Sequence, residues 1–273
     1  MLSRTSAVAL VLLAGSAAWA QPSVGGQIQD GFAVFSIAPG SNTGPTGNGA
    51  QTNFSVNGLG GPNQLSQAWW WFRVDGPNTT REEALFQNDA NTVVSQPAAN
   101  QLRITYNYGS FFAIMQWTVS GFSNGFGALT QTLTIQSMDP VNTLAFNLFN
   151  FNDVDVFGTA GNDSATQTGA ATVQFADGAF PVVRASYEGA NLLRVDIGPN
   201  VQNLLTNNVV DNLAGGVVNG GPADLEIASQ FRFDLSPMGV QTVSTTLTII
   251  PTPGAMALAG LGGLLAIRRR RAA

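Results

Sequence analysis

The sequence contains no cysteine, no histidine and no lysine, and only 10% of its 273 residues are charged. Without cysteine there is neither disulfide nor thiolate chemistry, and cysteine usage says nothing about redox compartment. Lack of histidine removes the Ser-His-Asp triad, the Cys-His pair and every histidine-ligated zinc site. Lack of lysine removes Schiff-base chemistry and the P-loop lysine. Carboxylates, tyrosine, serine, threonine and arginine are what remain. Most enzyme classes are thereby excluded, and the expectation is a protein that is not an enzyme.

Charge is scarce against a usual share of about 25%, and Asn, Gln, Thr, Ser and Gly supply the polarity instead. Such a mix favours β-structure with long polar turns over helices with charged faces. A hydrophobic share of 44% suits a packed core. The formal net charge of −5 hides part of the acidity, because four arginines stand together at Arg268 to Arg271. Residues 21–250 hold six arginines against twelve aspartates and four glutamates, a net charge of −10. An acidic body argues against nucleic acid, whose phosphates require a basic patch. It suits an exported protein that meets divalent cations.

Both ends read as addresses. Met1 to Ala20 has the charged start (Arg4), apolar centre and Ala18-Trp19-Ala20 cleavage site of a secretory signal peptide. Signal peptidase and the secretion machinery are the partners this implies. At the other end, Pro251-Thr252-Pro253-Gly254 precedes an apolar run, Ala255 to Ile267, and then Arg268, Arg269, Arg270 and Arg271. A helix of 13 residues is about 20 Å long, short of a hydrocarbon core of roughly 30 Å. The prolines break continuity with the body, and the arginines form a stop-transfer cluster.

Between them, residues 21–250 read as one all-β domain, an antiparallel β-sandwich of Greek-key or jelly-roll type with long polar loops. Alternating apolar runs at Leu102 to Tyr108, Phe111 to Val119 and Leu129 to Ser137 predict a meander, continued by Val141 to Phe151. Asp177-Gly178 between two further runs predicts a hairpin. Val24 to Ile37 reads as a strand, Pro39 to Asn53 as an exposed loop, and Val201 to Leu213 as a short helix. No repeat and no internal linker divides the body.

Three stretches carry candidate chemistry. In Trp69-Trp70-Trp71-Phe72, period two places Trp69 and Trp71 on one face. They offer either a platform for stacking on sugars or a strand buried on both sides. Arg81-Glu82-Glu83 is the densest charge cluster within residues 21–250; adjacent carboxylates point apart on a strand, which suits a solvated face or an Arg–Glu contact better than acid–base work. In Asn152 to Ser164, Asp153 and Asp155 share a strand face and Asp163 returns across a Gly-rich turn, hard oxygen ligands of the kind that hold calcium. A polar strand face followed by an Asn/Asp/Gly turn is the alternative.

The Pro-x-Pro motif, apolar span and basic end resemble the PEP-CTERM sorting tail of bacterial surface proteins, with Thr252 in place of the usual glutamate. The resemblance covers 251–273 only. It implies recognition by an exosortase-type membrane protease, transient insertion of the tail in the inner membrane, and residence in the envelope or exopolysaccharide matrix. Three functions stand in order: a non-enzymatic surface or matrix protein, a carbohydrate-binding module for exopolysaccharide, and a polysaccharide hydrolase using paired carboxylates.

Overall fold

The computed structural model describes residues 26–37, 50–85, 92–178, 182–217 and 222–251. The segment expected to be a signal peptide, with Ala18 and Ala20, and the tail from Thr252 through Arg271 lie outside the described residues.

The chain opens with β1 (Gly26–Asp30), β2 (Ala33–Ile37), β3 (Ala50–Ser55), β4 (Gln67–Val74), β5 (Glu83–Ala84) and β6 (Thr92–Ala98). A meander follows: β7 (Gln101–Asn107), β8 (Phe111–Ser123), β9 (Phe126–Ser137) and β10 (Leu144–Val154). After a 3-10 turn at Val156–Gly158 come β11 (Ser164–Gly169), β12 (Thr172–Ala176), β13 (Val182–Ser186) and β14 (Leu192–Ile197). Helix α1 (Asn200–Thr206) leads to β15 (Gly216–Val217), β16 (Leu225–Leu235) and β17 (Val240–Ile250).

These strands form two sheets. One is nine-stranded, ordered β1-β2-β3-β4-β10-β16-β14-β15 with β5 beside β4. The other is eight-stranded, ordered β11-β12-β13-β17-β9-β8-β7-β6. Every pairing is antiparallel except β14 with β15. The architecture is an all-β sandwich, as composition and periodicity predict.

Burial differs between the sheets. Along β8, β9 and β17 it alternates residue by residue, the signature of one face on the core and one toward water. β4 and β10 are buried on both faces. Their second face is roofed by α1, which packs on β14, β16 and β5, and by the segment carrying Asp211, Asn212 and Leu213. A strand covered twice has no polar face to show, which explains the run of three tryptophans.

The core between the sheets contains a set of paired amides. The Gln131 amide of β9 donates to Asn152 Oδ1 of β10 at 2.7 Å and accepts from Asn150 at 3.3 Å. Asn152 also donates to Asn150 Oδ1 (2.6 Å) and to the Tyr187 hydroxyl (3.1 Å). All four residues are buried, so each bond offsets a desolvation cost of about 1–3 kcal/mol per unpaired group. These partners fix the register of one sheet on the other.

Three local expectations are corrected and one strand is added. Val24 to Ile37 is not one strand: a turn at Gly31 (φ 56°) folds it into the β1–β2 hairpin. That hairpin crosses β8 so closely that a Cβ on Gly121 would sit 2.0 Å from the Asp30 carbonyl oxygen. Pro39 to Asn53 is not loop throughout, since β3 begins at Ala50 and buries Thr52 and Phe54. Thr92–Ala98 is a strand at the sheet edge that polar composition concealed. The helix ends at Thr206 rather than reaching Leu213, because Asn207 Oδ1 accepts the Val209 N–H (2.8 Å) and turns the chain.

Candidate metal centre

Antiparallel pairing brings Gln67 of β4, Asp153 of β10, Glu226 of β16 and Asp196 of β14 into one transverse row. Beyond the strand ends lie Asp155, one residue past β10, and Asp224, one residue before β16. Asp153, Asp155 and Asp224 each offer an oxygen, and these atoms all lie within 4.8 Å of one another. Asp163 arrives from the far side of the 3-10 turn. Its backbone forms a two-bond bridge with Ala223, the residue before Asp224 (both 3.1 Å).

Local backbone chemistry sets this corner. Phe157 adopts φ 60°, a left-handed conformation costing a non-glycine residue about 1–2 kcal/mol. Its N–H is held by Gln64 Oε1 at 2.8 Å, and the Val156 N–H by Asp163 Oδ2 at 3.3 Å. Ser66 donates to Asp153 Oδ2 at 2.5 Å. Glu226 is occupied elsewhere: Oε2 accepts the Val201 and Gln202 N–H groups of α1, both at 3.0 Å.

Three carboxylate oxygens remain buried without any partner: Oδ1 of Asp153, of Asp163 and of Asp224. The three ion pairs among the described residues are Arg73–Asp75, Arg73–Glu82 and Arg194–Asp196, so no arginine neutralises the cluster. Burial first, then the charges of Asp155, Asp224 and Glu226, push the Asp153 carboxyl up to about 7 against the hydrogen bond from Ser66. Burial likewise lifts Asp163 to about 7, reinforced by Asp155, Asp177 and Asp224. Asp155 is raised by burial and by Asp224. The structure thus brings Asp153 and Asp155 together with Asp224, and leaves Asp163, the third residue the sequence singles out, beside the cluster, where its carboxyl feels Asp155 and Asp224. Only register could have found that fourth residue, 61 positions after Asp163.

The aromatic platform is corrected. Trp69 is 2% exposed and Trp71 is 0% exposed, so neither ring can stack on a sugar. Trp69 Nε1 donates to the Leu85 carbonyl, and Trp71 packs edge-on against Phe151 at 5.9 Å. Arg81-Glu82-Glu83 is not a solvated face either. Glu82 is buried and paired with Arg73, which also bonds the Asp211 carbonyl (2.6 Å) and Asn212 (2.9 Å) above the Phe149 ring. Of the expected sorting motif only Pro251 is described; no described helix is long and apolar enough to cross a membrane.

Two open grooves lie elsewhere. One of about 390 Å³ is lined by Asp75, Glu83, Arg73 and Arg81, and one of about 290 Å³ by Glu188, Arg232, Gln241 and Thr242.

No family model matches the chain, and no curated protein does. Among solved structures it is similar to a polysaccharide lyase, with a TM-score of 0.45 and 12% identity, over 81% of this chain and 33% of that one. It is also similar to a proposed kojibiose phosphorylase from human microbiome, with a TM-score of 0.41 and 8% identity, over 82% of this chain and 29% of that one. The chain spans about a third of the length of either. The expectation of a protein that is not an enzyme is withdrawn: both matched structures are named for enzymes acting on carbohydrate. Physically, the missing His, Cys and Lys leave carboxylate chemistry open.

Proposed function

We propose that the protein is an exported component of the bacterial cell envelope whose β-sandwich, wound as a Greek key or jelly roll, binds exopolysaccharide. The PEP-CTERM-like tail, Pro251 to Arg271, supports the destination. An exosortase-type protease acts on that tail after signal peptidase has acted at Ala20.

The observation that carries the binding reading is the outer face of the eight-stranded sheet. Thr130, Thr132 and Thr134 of β9 stand directly beside Thr246, Ser244 and Thr242 of β17. Their hydroxyls repeat at about 6.8 Å along a strand and about 4.8 Å across strands. Hydrogen bonds between Thr134 and Thr242 (2.9 Å) and between Thr130 and Thr246 (3.3 Å) hold rotamers in place. Gln116 and Arg103 extend the second row on the neighbouring strands. No strand of this sheet carries an aspartate or glutamate. Sugar hydroxyls are met by fixed donors and acceptors, and an acidic glycan meets no like charge.

The test is affinity electrophoresis through gels containing alginate, polygalacturonate or dextran. The protein is retarded by at least one glycan, and the Thr134→Val/Thr242→Val pair abolishes the retardation. Unretarded migration in all three gels, or retardation unchanged by the pair, contradicts the assignment.

The hydrolase alternative has one observation in its favour, the groove where Asp75 and Glu83 face Arg73 and Arg81. Asp75 is held by Arg73 (2.7 Å) and Asn147 (2.9 Å), which leaves Glu83 as the group able to act as an acid. Release of new reducing ends from the same polysaccharides, lost in Glu83→Gln, supports this second reading; no release from any of them rejects it.

A further inference from the structure

We propose that the corner where β10, the 3-10 turn and the start of β16 meet is a calcium site, with Asp153, Asp155 and Asp224 as its protein ligands and the buried Asp163 beside them. The site is independent of glycan binding, which is assigned to the other sheet.

Charge alone does not carry this assignment, since acidic clusters are common on acidic proteins. The independent observation is Asp163. It is 0% exposed, its Oδ1 has no partner, and its carboxylate feels both Asp155 and Asp224. A carboxylate so enclosed is expensive unless paired with a cation or protonated. The described residues supply no arginine there, and Asp153 and Asp224 of the cluster each leave Oδ1 buried and unpartnered. Three orphaned oxygens on three aspartates, drawn from three chain segments, mark this corner as a cation site rather than a solvated patch.

Size and ligand type favour calcium. Two oxygens bound to one calcium ion at 2.3–2.6 Å stand no more than about 5 Å apart. The spread of up to 4.8 Å among Asp153, Asp155 and Asp224 matches that span. Magnesium at roughly 2.1 Å draws opposite ligands to about 4.2 Å and keeps most of its waters, so it suits fewer carboxylates. Zinc favours nitrogen and sulfur ligands, which this chain lacks.

The ion would fasten two pieces of chain at one point, and a third lies beside them. β10 ends at Asp153 and Asp155, the turn containing left-handed Phe157 returns at Asp163, and β16 begins after Asp224. Without the ion this corner stores electrostatic repulsion; with it, the connection between the two sheets is cross-linked.

The experiment uses the mature protein stripped with EDTA and dialysed, then titrated with calcium chloride in a calorimeter and in thermal melts. Calcium binds with one-site stoichiometry and raises the melting temperature by about 5–10 °C at a hundred times Kd. Magnesium chloride at the same concentration gives a smaller rise. Asp224→Asn loses the heat signal and the rise, whereas Asp139→Asn, in an exposed turn, keeps both. If Asp224→Asn does not fold, Asp155→Asn takes its place. A wild-type protein that shows neither heat nor rise at millimolar calcium overturns the site. So does a response that survives Asp224→Asn and Asp155→Asn, and equal responses to magnesium and calcium overturn the ion's identity.

Discussion

The two sheets of this sandwich divide the protein's charge between them. Strands of the nine-stranded sheet carry Asp30, Glu83, Asp153, Asp196, Glu226 and Asp234, and those of the eight-stranded sheet carry no carboxylate and two arginines, Arg103 and Arg184. The first sheet is roofed on its outer side and therefore buries polar groups, which it must pair. The second leaves its outer side open and needs only hydroxyls and amides. Burial, rather than composition, decides where a charged side chain becomes chemically consequential.

Several substitutions sharpen or break that contrast. The largest effect is expected beneath the roof. Arg73→Met leaves Glu82 buried without its cation, and loss of one partner of a buried pair costs about 3–5 kcal/mol. Chemical denaturation should show this as a lower midpoint at unchanged slope. Trp71→Ala should cost a similar 3–5 kcal/mol through its cavity, as no exposed ligand-stacking residue would. Next comes the amide set between the sheets, where Asn152→Ala orphans Gln131 and Tyr187 and should cost about 1–3 kcal/mol by the same measurement.

A pH series separates the sheets further. In the cation-free protein Asp153 and Asp163 are raised to about 7 from an ordinary value of 3.8. A carboxyl whose folded pKa is raised binds its proton more tightly when folded. Its contribution is fully present below about pH 4 and is lost as pH rises through 7. EDTA-treated protein should therefore melt higher at pH 5 than at pH 8, and calcium should narrow the gap by replacing the protons. The smallest stability effect belongs to the open face. Thr134→Val should change stability by no more than about 0.5 kcal/mol while weakening retardation in the glycan gels.

The contrast also explains what was legible in the sequence. Strands with one wet face announce themselves by alternation, so β7, β8 and β9 could be read directly from residues 101–137. Asp153, Asp155 and Asp163 lie within eleven residues and can be read together. Asp224 cannot, because only the pairing of β10 with β16 brings it there. Trp69 and Trp71 stay open between a platform and a strand buried on both sides for the opposite reason: period two describes a strand's two faces but not what covers them. Here Trp69 meets the Leu85 carbonyl and the Trp117 ring, Trp71 meets Phe151, and their strand neighbour Arg73 is capped by Asp211 and Asn212, more than 120 residues later. The buried Glu82 was hidden likewise, since its partner Arg73 precedes it but the backbone N–H that completes its shell belongs to Asp211.

Hydrogen–deuterium exchange, with calcium and with a retarding polysaccharide added separately, tests the division of labour most directly. Calcium should slow exchange at 153–164 and 222–226 and leave β9 and β17 unchanged, whereas the polysaccharide should slow β9 and β17 alone. A calcium footprint on β9 and β17, or one shared footprint for both ligands, would contradict it.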